Sequence, residues 1–146
     1  GLGLGAKQLK KPWKTVCLMG DGECCEGSVW EAAMSAAHFK LDNIVGIVDR
    51  NRLMIDGCTE DVMALEPFAD KWRAFGWNVI EVNGHDLDEL DCALDAAWKA
   101  EGKPTLILAN TVKGKGVDFM ENNVVYHYAS GDSALCEKAK ASIMRG

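Results

Sequence analysis

The chain has 146 residues, enough for one domain with its own core and too few for two. Apolar residues make up 48% and charged residues 26%, and the formal charge of −6 comes with scattered rather than clustered lysines and arginines, which excludes a nucleic-acid surface. No apolar run approaches the ~20 residues of a membrane-spanning helix, and no signal-peptide pattern is visible, so a cytoplasmic protein without nucleic-acid or membrane partners is expected. The opening GLGLGA, at 1–6, starts without a methionine in what reads as the middle of a helix. A single domain over 1–146, incomplete at its N-terminus, is therefore expected. TVCLM (15–19) reads as a strand, and SVWEAAMSAAHF (28–39) as a helix opened by a Ser28–Glu31 capping box. NIVGIVD (43–49) is the next strand, followed by the loop RNRLMIDG (50–57). EPFADKWRAFG (66–76) has helical spacing, with Pro67 in the first turn and Gly76 as the C-cap. NVIEV (78–82) reads as a strand, Asp86 as the N-cap of the helix LDELDCALDAAWKA (87–100), and TLILAN (105–110) as a last strand. The stretch 113–130 is irregular and longer than an ordinary connection, which points to function.

The strands are apolar without strict alternation, as strands buried on both faces are. Alternating with helices, they imply a three-layer α/β sandwich around a parallel sheet. Six cysteines, at 17, 24, 25, 58, 92 and 136, contain no C-x-x-C pair, which argues against structural zinc. Reduced thiols are expected, with Cys17 and Cys92 acting as small hydrophobes within apolar elements.

Two readings compete for the glycines. GLGLGA fits the G-x-G-x-x-A variant of the dinucleotide fingerprint, with Asp21 near the place of a ribose-binding acid, which would make an NAD-binding Rossmann domain. That reading leaves Gly20, Gly22 and the second loop unexplained. The other reading starts from GDGECCEG, Gly20 to Gly27, at the end of the first strand. Its Asp21 stands thirty residues before Asn51, which follows the second strand: one βαβ step apart. In a parallel sheet both loops lie at the carboxyl ends, where ligands bind. A carboxylate and an amide carbonyl are hard oxygen ligands suited to Mg²⁺, while Gly20 and Gly22 let a diphosphate approach the backbone. Taken alone, Asp21 fits an ordinary turn and Asn51 an Asx turn; the pair one βαβ unit apart favours a site.

GDG, then about thirty residues, then Asn is the pattern of thiamine-diphosphate enzymes, and GDGECCEGSVWEAAMSAAHFKLDNIVGIVDRNRLMIDG closely resembles transketolase. LEPFADKWRAFGWNVIEVNGHD and TLILANTVKGKGVDFMENN resemble it too, in the form of split transketolases whose N-terminal half is a separate subunit. The resemblance implies the thiamine diphosphate-binding fold. It implies that Asp21, Asn51 and the carbonyl of Leu53 hold Mg²⁺ or Ca²⁺, with Gly20 and Gly22 at the cofactor's diphosphate. Ile55 would pack on the thiazolium region, Lys113 would lie near the diphosphate, and His127 would meet diphosphate and substrate. Glu26 would link two active sites across a dimer interface. Read without the resemblance, Ile55 equally fits core, Lys113 a solvated loop charge, Glu26 a surface acid and His127 a packing histidine. His38 and His85 read as structural. Tyr128 and Ala129 depart from the family's Gly-Lys after its histidine. The implied reaction moves a two-carbon ketol unit from a ketose phosphate to an aldose phosphate. It would need a pyrimidine-domain partner subunit, in a homodimer or heterotetramer. A non-catalytic remnant subunit stays open beside it.

Overall fold

Residues 1–128 and 131–145 are described in the computed structural model of the chain; Ala129 lies outside them. In chain order the elements are α1 (Leu2–Gln8), β1 (Thr15–Gly20), α2 (Gly27–His38) and β2 (Ile44–Arg50). Next come the short strands β3 (Leu53–Met54) and β4 (Gly57–Cys58), then α3 (Thr59–Val62) and α4 (Phe68–Ala74). The chain continues through β5 (Asn78–Asn83), α5 (Leu87–Lys99), β6 (Thr105–Asn110) and α6 (Ser133–Ile143). Four strands form one sheet in the order β1-β2-β6-β5, every neighbour parallel. β3 and β4 make a separate antiparallel hairpin.

Period-two alternation explains the layers. In β6, Leu106 and Leu108 point to one face and Ile107 and Ala109 to the other, all buried. The first face meets Ala33 and Ala36 of α2 and Phe68 and Trp72 of α4. The second meets Ala93 and Ala97 of α5, with Val45 and Val82. The result is the expected three-layer α/β arrangement.

Several local expectations need correction. β1 is an edge strand, not one buried on both faces: Leu18 is 71% exposed and Val16 50%. Its register with β2 sets both beside Val45 and Ile47, on the α5 face of the sheet. Cys17 and Cys92 are exposed, and the buried thiol is Cys24, which donates to the Gly20 carbonyl. The Ser28–Glu31 capping box does not form. A 3₁₀ turn, Gly22–Cys25, leads straight into α2, so the extended N-cap position falls on Glu26 and Ser28 lies inside the first turn. Pro67 occupies the N-cap position of α4 rather than its first turn. Gly76 does follow α4, at φ +90, with its N–H on the Arg73 carbonyl. Asp86 caps α5 by accepting from Asp88 and Glu89, both at 3.0 Å.

α6 was not expected. Asp132 caps it by accepting from the Leu135 N–H at 2.8 Å, and it supports the long 113–128 stretch from behind. Ser142 accepts from the Asp118 N–H at 2.9 Å, and the Lys138 ammonium lies 4.4 Å from the Phe119 ring centre. Within that stretch Val124–His127 forms a 3₁₀ turn.

Candidate functional site

Parallel register brings three strand ends to one edge of the sheet. Gly20 pairs with Asp49, and Arg50 with Asn110, so the chain leaves β1, β2 and β6 at the same level. Two tryptophans on α2 and α4 brace the first of these exits. Trp30 donates to the Cys24 carbonyl at 2.8 Å, and its ring packs on Trp72 at a centroid distance of 5.1 Å. The turn carrying Asp21 is thereby fixed to the core.

Above the strand ends lies a cavity of about 470 Å³. All nine residues singled out in the sequence line it. Gly20, Asp21, Gly22 and Glu26 come from the β1 exit, Asn51, Leu53 and Ile55 from the β2 exit and hairpin, and Lys113 and His127 from the long stretch after β6. Glu23, Asp49, Met54 and Asp56 line it as well. Lys113 is therefore the one lysine or arginine among the described lining residues, facing five carboxylates.

Asp21 is buried, at 1% exposure, and well supplied with donors. Its Oδ1 accepts from the Gly22 N–H at 2.8 Å; its Oδ2 accepts from Arg50 Nη1 at 2.9 Å and from the Arg52 N–H at 2.6 Å. The Asn51 Oδ1 accepts from the Leu53 N–H at 3.0 Å, an Asx turn that aims the side chain at the hairpin. The Gly20 N–H bonds to Glu23 Oε2 at 3.1 Å, so in this structure both glycine N–H groups rest on acids rather than facing the cavity. A bound diphosphate would have to take those bonds over.

Arg50 ties the exit of β2 to its surroundings. Its Nη1 also donates to Thr59 at 2.8 Å, and its Nη2 to Glu60 at 2.9 Å and Glu66 at 2.8 Å. Burial would raise the Glu60 carboxyl, but the N–H groups of Leu65 and Glu66 and the Arg50 guanidinium outweigh it and hold the group at about 2. Glu66 is lowered chiefly by the same guanidinium. Sequence reading missed Arg50. The visible signal was a cation directly after Asp49, at the end of a strand whose preceding residues are apolar, and directly before Asn51.

The fit to the expected group rests on four observations. His127 lines the cavity, and its Nδ1 is buried without a hydrogen-bond partner among the described residues. A Cβ on Gly22 would come within 3.0 Å of the Met54 Cβ, tight enough to push this wall of the cavity back by a few tenths of an ångström. Gly114, at φ +76, takes a backbone conformation that side chains rarely adopt, and a Cβ there would meet the Met120 carbonyl at 2.6 Å; this turn fixes Lys113. Ile55 is 53% exposed at the rim, an apolar surface left for something to cover. Among the described residues no group of three or more His, Cys, Asp or Glu could by itself hold a metal ion. Asp21, Asn51 and Leu53 all line the cavity, and a cation held by oxygens of these three residues would share its shell with phosphate oxygens of the ligand, as Mg²⁺ commonly does.

Residues 9–143 match the family model described as transketolase, thiamine diphosphate binding domain. The chain is 45% identical over 139 residues to an apulose-4-phosphate transketolase subunit from Phocaeicola vulgatus, covering 95% of this chain and 50% of that protein. It is 44% identical over 127 residues to the 6-deoxy-6-sulfo-D-fructose transketolase subunit SqwG of Clostridium sp., covering 87% of this chain and 46% of the relative. The chain thus spans about half the length of these relatives. Its fold matches a crystal structure of transketolase from Campylobacter jejuni with a TM-score of 0.90 at 33% identity, covering 97% of this chain and 23% of that one. The glycines of GLGLGA lie within or at the cap of α1, not in a loop between strand and helix, which removes the dinucleotide fingerprint. The chain belongs to the transketolase family, as its thiamine diphosphate binding domain.

Proposed function

We propose that this chain is the diphosphate-binding part of a two-subunit transketolase. It would bind thiamine diphosphate through Mg²⁺, or Ca²⁺, and act with a pyrimidine-domain subunit in a cytoplasmic homodimer or heterotetramer. The reaction is transfer of a two-carbon ketol unit from a ketose phosphate to an aldose phosphate. The relatives named as subunits support the split organisation. One observation carries the reading: Asp21, Asn51 and Leu53 share a single cavity with Lys113 and His127. Five carboxylates against one lysine, with only Asp21 ion-paired from behind by Arg50 among the described residues, would repel a diphosphate unless a divalent cation stood between them.

The cofactor, when bound, supplies the nucleophilic carbon and the electron sink. The protein's own residues bind and orient. Asp21 and Asn51 hold the cation, with the Leu53 carbonyl as a third ligand. Gly20 and Gly22 keep the backbone close to the diphosphate, and Lys113 adds a positive charge beside it. His127 would contact the diphosphate or the substrate, and Ile55 would shield the reacting end from water. Glu26, exposed at the mouth, would meet a partner across an interface.

A coupled ketol-transfer assay on the full-length protein, with and without its pyrimidine-domain subunit, tests the proposal. Turnover is expected only in the assembled complex, and a chelator should remove it. A folded complex that binds the cofactor yet transfers nothing would overturn the enzymatic reading in favour of a non-catalytic subunit.

A further inference from the structure

We infer that Arg50 is a positioning residue that fixes how the Asp21 carboxylate meets a cation, leaving it one free oxygen and so favouring small six-coordinate Mg²⁺ over Ca²⁺. The inference rests on the metal reading above and concerns the selectivity of that same site.

The guanidinium is 1% exposed and cannot swing. Nη1 is held between Asp21 and Thr59, and Nη2 between Glu60 and Glu66, all at 2.8 to 2.9 Å. The Phe68 ring closes one side, 5.6 Å from the guanidinium carbon. Four acceptors on a rigid planar fork fix its plane, as a lysine ammonium would not be fixed. Asp21 Oδ2 receives the Arg50 Nη1 bond at 2.9 Å and the Arg52 N–H at 2.6 Å. A carboxylate oxygen offers two lone-pair sites, so Oδ2 is filled from the protein side. Only Oδ1, now touching the Gly22 N–H, remains for a cation. Bidentate chelation by Asp21 would require Oδ2 and is blocked. Mg²⁺ demands near-octahedral geometry and takes one oxygen per carboxylate, whereas Ca²⁺ takes six to eight oxygens and often chelates a carboxylate through both. A bond behind the ligating group therefore decides which ion fits in front of it, as outer-shell partners of metal ligands do.

The test is calorimetric binding of thiamine diphosphate to the full-length protein assembled with its pyrimidine-domain subunit. Mg²⁺ and Ca²⁺ are titrated separately to find each half-saturating concentration. Arg50→Gln should raise the Mg²⁺ requirement about ten-fold and the Ca²⁺ requirement much less, moving the preference toward Ca²⁺. Removing the guanidinium charge alone leaves the buried Asp21 uncompensated beside Glu60 and Glu66, so a double variant, Arg50→Gln with Glu66→Gln, keeps the cluster's formal charge and is expected to shift preference in the same direction. Thermal unfolding confirms that each variant is folded. Equal weakening of both ions, or none, in a folded variant would reduce Arg50 to a structural counter-ion and overturn the inference. If the unaltered protein binds the cofactor without any divalent ion, the metal reading itself fails, and that result is separate from any change in preference.

Discussion

Cys24 and Cys25 are adjacent, and their thiols live in different media. Cys25 is exposed, while Cys24 is fully enclosed beneath the turn that carries Asp21. Burial, with Glu23 and Asp21 adding like charge, pushes the Cys24 thiol up to about 12. Alkylation of the folded protein near pH 8, followed by mass spectrometry, should therefore label Cys25 and Cys17 and spare Cys24. Labelling of Cys24 at the rate of Cys25 would contradict the packing described for this turn. At this scale the site was legible in part. The convergence of Asp21 and Asn51 on one cavity was readable because it depends on spacing along the chain, which sequence displays. Arg50 was not, because its role comes from Thr59, Glu60 and Glu66, gathered around it only when α3 and α4 fold back over the end of β2. Hydrogen bonds of the Gly20 and Gly22 N–H groups to Glu23 and Asp21 were equally invisible, since they depend on the geometry of the 3₁₀ turn.

The same cluster joins elements, and it gives them a pH dependence. Glu60 belongs to α3 and Glu66 precedes α4; both are drawn to Arg50 at the end of β2. The Glu60 carboxyl sits at about 2 rather than its ordinary 4.5, so the folded state binds its proton less readily than the unfolded chain. Its stabilising effect is full above about 4.5 and is lost as pH falls toward about 2. Melting temperature should drop across that window. Glu60→Gln should be less stable near neutrality and should lose less on acidification; a variant with the wild-type acid profile would remove Glu60 as the cause. Other elements differed in how readable they were. Strands and the helices α2, α4 and α5 carried clear apolar patterns. α6 did not: SALCEKAKASI buries only Ser142 among its described residues, so there is no apolar stripe to detect. β3 and β4 have two residues each, too short for any period. β1 read as interior because an apolar run records hydrophobicity and not its place in the sheet, which is set by strand order.

Across the whole molecule, the parallel sheet lets loops distant in sequence build one cavity. β1, β2 and β6 end together, and the 113–128 stretch, backed by α6, closes the far wall with Lys113 and His127. The central claim is that this cavity holds thiamine diphosphate through a divalent cation on Asp21 and Asn51. Calorimetric titration of the cofactor into the assembled full-length protein tests it most directly, with Mg²⁺, with chelator, and with Asn51→Ala. Asn51 lies in a loop and contributes little core packing, so the variant should fold. The account predicts binding with Mg²⁺, its loss with chelator, and a loss of at least about ten-fold in affinity for Asn51→Ala. Unchanged affinity in the folded variant, or binding indifferent to the chelator, would contradict it.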